Sequence, residues 1–190
     1  MNSLTQEMLL YRGAPVTSSW VLTGLVLRDF FHATDANSLR QSMEAIGNIL
    51  SKEQLDTLEN ADWLAVEYEF NRLFVGPMKL QAPPYSSVYN NSDALLMGKG
   101  TQQVKEVLNA LSLNIDNENQ IPEDHISYEI ELCLLLVNNQ PELLTRFVSG
   151  HVNLWLPLFI EKIKEHAQTQ PIQLAAALLS DWLNELKTRV

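Results

Sequence analysis

Histidine, cysteine and a Gly-Lys-Gly-Thr run are the residues of this chain whose chemistry could reach beyond packing. His32, His125, His151 and His166 lie too far apart for any two to share a helical face at i+3 or i+4. Cys133 has no second thiol, so no zinc signature forms. Its setting, "EIELCLLLV", favours an inert, protonated thiol. G-x-S-x-G is absent, and no serine or cysteine stands in a nucleophile context. "GKGT" at 98–101 echoes a phosphate-binding loop, but G-x-x-x-x-G-K-[ST] needs glycine where Asp93 stands and Ser or Thr where Gly100 stands. "NIDNENQIPEDH" alternates oxygen-bearing side chains as a calcium loop does, yet the required glycine falls on Asn119 and the closing glutamate on His125. The residue types therefore point away from catalysis, with a nucleotide-binding or GTP-hydrolysing helical protein as the alternative that "GKGT" supports.

Two stretches are suited to binding instead. "NRLFVGPMKLQAPPYSSVY", residues 71–89, stiffens an apolar, aromatic segment with Gly76, Pro77, Pro83 and Pro84. Prolines pre-set the backbone, so less conformational entropy is lost when a partner docks. Tyrosines add contact area with a polar handle. "PEDHISYE", Pro122 to Glu129, places Glu123, Asp124 and His125 at a helix start, with Asp124 as the expected cap. Carboxylates there can meet a cationic partner or serve the free N–H groups of the helix itself.

The elements that must hold these stretches read as helices. Trp20, Leu27, Phe30 and Phe31 share one face of "SSWVLTGLVLRDFFHA". Asp35 suits a second N-cap, and Ser51 with Gln54 fits a capping box. "ADWLAVEYEFNRLF" carries Trp63, Val66, Phe70, Leu73 and Phe74 on one stripe and stops at Gly76-Pro77. Helices are also expected over "TQQVKEVLNALSL", over the strongly apolar "DHISYEIELCLLLVNN", over "NLWLPLFIEKIKEHA" and over the C-terminal "PIQLAAALLSDWLNELKTRV". Pro141 and Pro171 suit first helical turns. No alternating strand pattern and no internal repeat is present, so the class is all-α. Residues 1–190 are expected to form a single-domain helical bundle, with a proline-rich loop over about 75–92 and a polar linker over about 113–123.

A composition of 46% apolar residues supports a real core. The net charge of −10 and the lack of a basic block disfavour nucleic acid as a partner. No window reaches 18 uninterrupted apolar residues, so no stable membrane insertion is expected. "MNSLTQEMLLYRGAP" lacks the basic start, apolar run and cleavage site of a signal peptide, so a cytoplasmic location is expected.

Taken together, the two stretches resemble the TorD/DmsD family of redox-enzyme maturation chaperones. The resemblance is carried by Glu69-Phe70, Leu73-Phe74, Gly76-Pro77, Pro83-Pro84-Tyr85, Ser87-Val88-Tyr89 and Pro122 to His125. "HVNLWLPLF", with His151, Trp155 and Pro157, is similar to a later segment of the family. Of its branches the DmsD type is nearest, with TorD close behind. The family is all-helical, cytoplasmic and not catalytic, and needs no cofactor of its own. Its members bind the twin-arginine leader of a molybdenum-cofactor reductase of the dimethyl sulfoxide or trimethylamine N-oxide type, holding back export until the cofactor is inserted.

The resemblance thus implies a leader peptide and an apo molybdoenzyme catalytic subunit as partners. A family chaperone serving a non-exported client is the alternative. Such members are usually monomeric, with a dimer as the other form. On this reading the leader is met by Leu73, Phe74, Met78, Pro84, Tyr85, Ser87, Tyr89, Gly98, Glu123, Asp124 and His125. Leu73, Phe74, Pro84, Tyr85 and Tyr89 would line or support an apolar wall, Glu123 and Asp124 would meet the arginines, and Gly98 would allow close approach. Leu73, Phe74, His151 and Trp155 suit core packing equally well. Family members often carry tryptophan where this chain has Phe70, Met78 and Tyr85, so leader preference can differ.

Overall fold

The computed structural model describes residues 18–45, 47, 49–90, 99–113 and 121–190. Ten α-helices follow one another among them. They are α1 Ser19–Phe31, α2 Ala36–Glu44, α3 Lys52–Glu59, α4 Trp63–Phe70, α5 Ser86–Asn90, α6 Lys99–Ala110, α7 Ile126–Asn139, α8 Pro141–Phe147, α9 Asn153–His166 and α10 Gln170–Lys187. A π turn, Asn71–Val75, extends α4, and another, Val148–Val152, joins α8 to α9. No strand forms among the described residues, only an isolated bridge between Tyr85 and His125.

Local chemistry explains the starts. Asp35 accepts from the Ser38 N–H and Ser51 from the Gln54 N–H, each completing a capping box. Asp62 accepts from Leu64 and Ala65 to open α4. Pro141 and Pro171 sit in first turns, where the missing N–H costs nothing. α7 begins one residue later than expected: His125, not Asp124, is its N-cap, and the ring accepts from the Ser127 N–H. Asp124 is drawn away by stronger partners, described below.

α1 lies at the centre, packed on α2, α7 and α10, while α9 packs on α10 and α5. Trp20 and Trp182 stack with centroids 5.3 Å apart, and the Trp20 indole N–H donates to the Trp182 carbonyl at 3.1 Å. Phe30, Phe31, Phe70, Phe74 and Phe159 meet edge to face or tilted at 5.0–6.0 Å. Such aromatic pairs add about 0.5–1.5 kcal/mol each beyond burial. Cys133 is buried within α7, and desolvation, then the charge of Glu129, pushes its thiol pKa up. The run Pro141–His166 has the length and hydropathy of a membrane span, but half of its most apolar window is buried inside the chain's own core.

One expectation about connections changes. Over 75–92 a loop was expected, yet Ser86–Asn90 is helical, so Val88 and Tyr89 sit on α5 and the irregular segment ends at Tyr85. Residues 91–92, most of the expected linker (114–120) and Gly98 lie outside the described residues.

Candidate functional site

Glu69 and Arg72 anchor the irregular segment at its base. Glu69 is only 6% exposed although charged. Its Oε1 accepts from Arg72 Nη2 at 2.9 Å and from the Gln168 N–H at 2.6 Å, and its Oε2 accepts from the Thr169 N–H at 2.7 Å. Arg72 Nη2 also donates to the His166 carbonyl at 3.1 Å. Thr169 makes no side-chain cap for α10, and Glu69, from another helix, accepts the N–H groups of the two residues that lead into it. The acidic residue of the Glu69-Phe70 pair therefore locks α4 to the α9–α10 junction.

The π turn then sets the direction of the chain. Gly76 donates its N–H to the Asn71 carbonyl at 2.8 Å, an i+5 bond. The widened turn lets the adjacent Leu73 and Phe74 both face inward, at 0% and 3% exposure. Gly76 has φ +110°, a region that side chains rarely enter, which is why glycine stands there. A cis Gly76–Pro77 bond follows. Ala82 returns the chain to the π turn by donating to the Leu73 carbonyl at 3.1 Å, leaving Met78 81% exposed on the excursion between.

At the far end the segment meets the start of α7. Ser86 donates its N–H to the Asp124 carbonyl at 3.1 Å, and Ile126 donates to the Pro84 carbonyl at 2.9 Å. The Asp124 side chain, 0% exposed, accepts from the Ser87 N–H at 2.8 Å and from Thr101 Oγ1 at 2.9 Å. One carboxylate thus fastens α5, α6 and the turn before α7 together. Gly100 permits that closeness: a Cβ there would lie 2.5 Å from Ser86 Oγ and 2.8 Å from the Ser87 nitrogen. The Gly100 and Thr101 of "GKGT" are thereby committed to packing and to Asp124.

His125 is 5% exposed, and its ring meets Tyr85 at 5.2 Å and Tyr128 at 6.2 Å. Burial, aided by His32, lowers its pKa to about 3, so the ring is neutral at neutral pH. Tyr85 and Tyr128 remain partly exposed, and burial raises both phenol pKa values. The charges of Glu131 and Glu123 add to the rise at Tyr128, which places both carboxylates within electrostatic reach of that phenol. Glu123 pairs with Lys105 at 3.2 Å, and Glu131 lies 3.7 Å from Arg28.

Of the residues expected at the site, Asp124, His125, Tyr85 and Ser87 come together directly, with Pro84 buried beside them. Glu123 adjoins them at the surface, while Met78 projects elsewhere on the segment. Leu73 and Phe74 are core residues. Tyr89 packs on Trp155 and Phe159, and burial raises its phenol pKa. His151 and Trp155 are also core: they share Glu129, 2% exposed, through bonds of 2.7 and 2.9 Å, and Gln103 of α6 meets the other His151 ring nitrogen at 3.0 Å.

Sequence reasoning missed Tyr128 and Glu129 as members of these clusters. The spacing from His125 to Tyr128, one helical turn, was the available signal for the first. Nothing local marked Glu129 as buried, because its partners lie more than 20 residues away. No group of His, Cys, Asp and Glu suited to a metal ion occurs among the described residues.

Comparison with known proteins bears on this arrangement. Residues 33–161 match the protein family described as nitrate reductase delta subunit. A Tat proofreading chaperone DmsD of Haemophilus influenzae is 29% identical over 126 residues, covering 64% of this chain and 62% of the relative. A chaperone protein TorD of Vibrio cholerae is 32% identical over 124 residues, covering 58% of this chain and 56% of the relative. Each match thus spans less than two thirds of the relative's length. A redox enzyme maturation protein from Archaeoglobus fulgidus shares the fold, with a TM-score of 0.62 and 24% identity, over 87% of this chain and 93% of that one.

Proposed function

Because this chain belongs to the nitrate reductase delta subunit family, that of the TorD and DmsD chaperones, we propose that it is a cytoplasmic chaperone for a twin-arginine molybdoenzyme. In this role it binds the leader peptide of the apo catalytic subunit and holds back export until the cofactor is in place. It acts as a monomeric binding protein, performs no chemistry and carries no cofactor of its own.

The observation that carries the reading is the frame built on Asp124. A buried carboxylate bonded on both oxygens and a neutral buried imidazole hold Tyr85 and Glu123 at the surface, and the Gly76 turn presents Met78. Preorganisation of this kind lowers the entropy cost of docking a flexible peptide. A helix-in-groove mode suits a leader whose apolar stretch folds as it binds. Asp124, His125 and Ser87 serve by positioning; Met78, Tyr85 and Glu123 offer contact; Leu73, Phe74, Pro84 and Tyr89 support them from beneath. Gly98 lies outside the described residues.

Co-purification from the native host tests the proposal. A molybdoenzyme catalytic subunit with its leader intact is the expected client. Recovery of an enzyme without a twin-arginine leader would assign the chain to a non-exported client instead.

A further inference from the structure

A receptor for a basic peptide needs carboxylates that still face water, and the loop supplies few. Asp124 is buried and bonded within the chain, and Glu123 is paired with Lys105. The opposite end of α4 differs. There a cleft of about 790 Å³ between α3, α4 and the start of α10 is lined by Glu53, Asp56, Asp62, Lys52, Asn60 and Ala65, among others. Glu53 and Asp56 are exposed and make no ion pair among the described residues. Asp62 is the N-cap of α4, so the cleft opens directly onto that helix.

From the cleft, an apolar stripe runs along the solvent face of α4 and on through the π turn and the segment beyond it. Leu64 is 56% exposed, Tyr68 69%, Val75 61% and Met78 81%. Leu64 and Tyr68 are neighbours at i+4, and Val75 follows on the side turned away from the buried Val66, Phe70 and Phe74. Helix residues on a soluble surface are ordinarily polar there. From Leu64 to Val75 the stripe runs roughly 17 Å, about three helical turns. The two features adjoin in the order acidic, then apolar.

We propose that this face of α4 docks the leader, with its arginines in the Glu53–Asp56–Asp62 cleft and its apolar helix laid along Leu64, Tyr68, Val75 and Met78. This rests on the leader-binding reading and extends it from the loop to the whole outer face of α4. Charge complementarity selects the occupant: a peptide basic at its start and apolar after it fits both features, whereas a purely apolar partner leaves the cleft unused. The stripe suits a single docked helix; a stable dimer uses about 20–30 residues a side.

The test is fluorescence anisotropy with a labelled synthetic twin-arginine leader, at low and high salt, on the full chain and on variants at exposed positions that leave the thermal transition in place. Leu64→Ser with Tyr68→Ser is expected to weaken binding about tenfold or more, as loss of anchoring side chains does. Glu53→Lys with Asp56→Lys is expected to weaken it similarly and to flatten its salt dependence. The control Leu154→Ser with Leu158→Ser should stay within about threefold, under half the free energy of a tenfold change. The cleft variant and the stripe variant both binding like the parent would overturn the assignment while leaving the leader reading intact. So would a dimer that dissociates in Leu64→Ser with Tyr68→Ser at unchanged leader affinity. A parent chain that binds no leader would remove the reading and this inference together.

Discussion

Replacing Asp124 distinguishes a positioning carboxylate from one that meets the partner. Its side chain is fully buried and accepts two hydrogen bonds, from the Ser87 N–H and from Thr101 Oγ1. Hydrogen bonds to a charged group contribute about 1.5–3 kcal/mol each, and removing the acceptor leaves both donors buried without a partner. Asp124→Ala should therefore cost roughly 3–5 kcal/mol. For a chain of this size that lowers the melting temperature by about 10 °C, at 2–4 °C per kcal/mol. Asp124→Asn is milder, because its amide oxygen can still serve Ser87 while the Thr101 hydroxyl turns to accept from the amide nitrogen; about 1 kcal/mol is expected. Thr101→Val, losing one of these bonds, should cost about 1.5–3 kcal/mol. Urea denaturation followed by circular dichroism measures all three, with the slope checked for constancy. Asp124→Asn should also keep leader affinity within about threefold of the parent, on the 1.4 kcal/mol-per-tenfold scale. The reasoning fails if Asp124→Ala is as stable as the parent, or if Asp124→Asn abolishes binding at unchanged stability.

Three further outcomes follow from neighbouring residues. Glu69→Gln should lose about 2 kcal/mol, because a neutral amide presents only one acceptor to the Gln168 and Thr169 N–H groups and to Arg72. Hydrogen exchange at those two amides should speed up with it, and unchanged protection would contradict the cross-helix anchor. Gly100→Ala should cost about 1–3 kcal/mol, since its Cβ would lie 2.8 Å from the Ser87 backbone; a neutral effect in denaturation would show that α5 and α6 are less tightly apposed. His125 is held neutral by burial with a folded pKa of about 3. Its depressed value means that the stability it confers is complete above the unfolded pKa near 6.5 and is lost as pH falls towards 3, by up to about 1.4 kcal/mol per pH unit. Comparing denaturation of His125→Gln and parent across pH 7 to 4 should show the parent losing stability faster; parallel curves would refute the assignment.

Most of the helical framework was readable because each helix carries its own signal. The N-cap at Asp35, the capping box at Ser51, prolines in first turns, and the stripe from Trp63 to Phe74 are local, and local signals survive folding. The π turn at Asn71–Val75 was hidden, since no residue breaks the periodic pattern before Gly76. Site residues were legible as a set but not in their roles. The sequence shows that Glu69, Asp124 and His125 stand at conspicuous places; only the fold shows where the backbone donors of Ser87, Gln168 and Thr169 come to rest. Long-range partners decide burial, and so decide whether an acid faces a peptide or the chain's own amides. The exposed α4 stripe was overlooked for the converse reason. Leu64, Tyr68 and Val75 interleave with the inward stripe, and apolarity alone does not tell which face of a helix meets water.

The most direct test of the proposed role is calorimetric titration of the purified chain with synthetic twin-arginine leaders from several molybdoenzyme catalytic subunits. Saturable one-to-one binding of at least one leader is expected, with a negative heat-capacity change from burial of its apolar stretch and with affinity falling as salt rises. A folded chain that takes up none of the leaders would contradict the account.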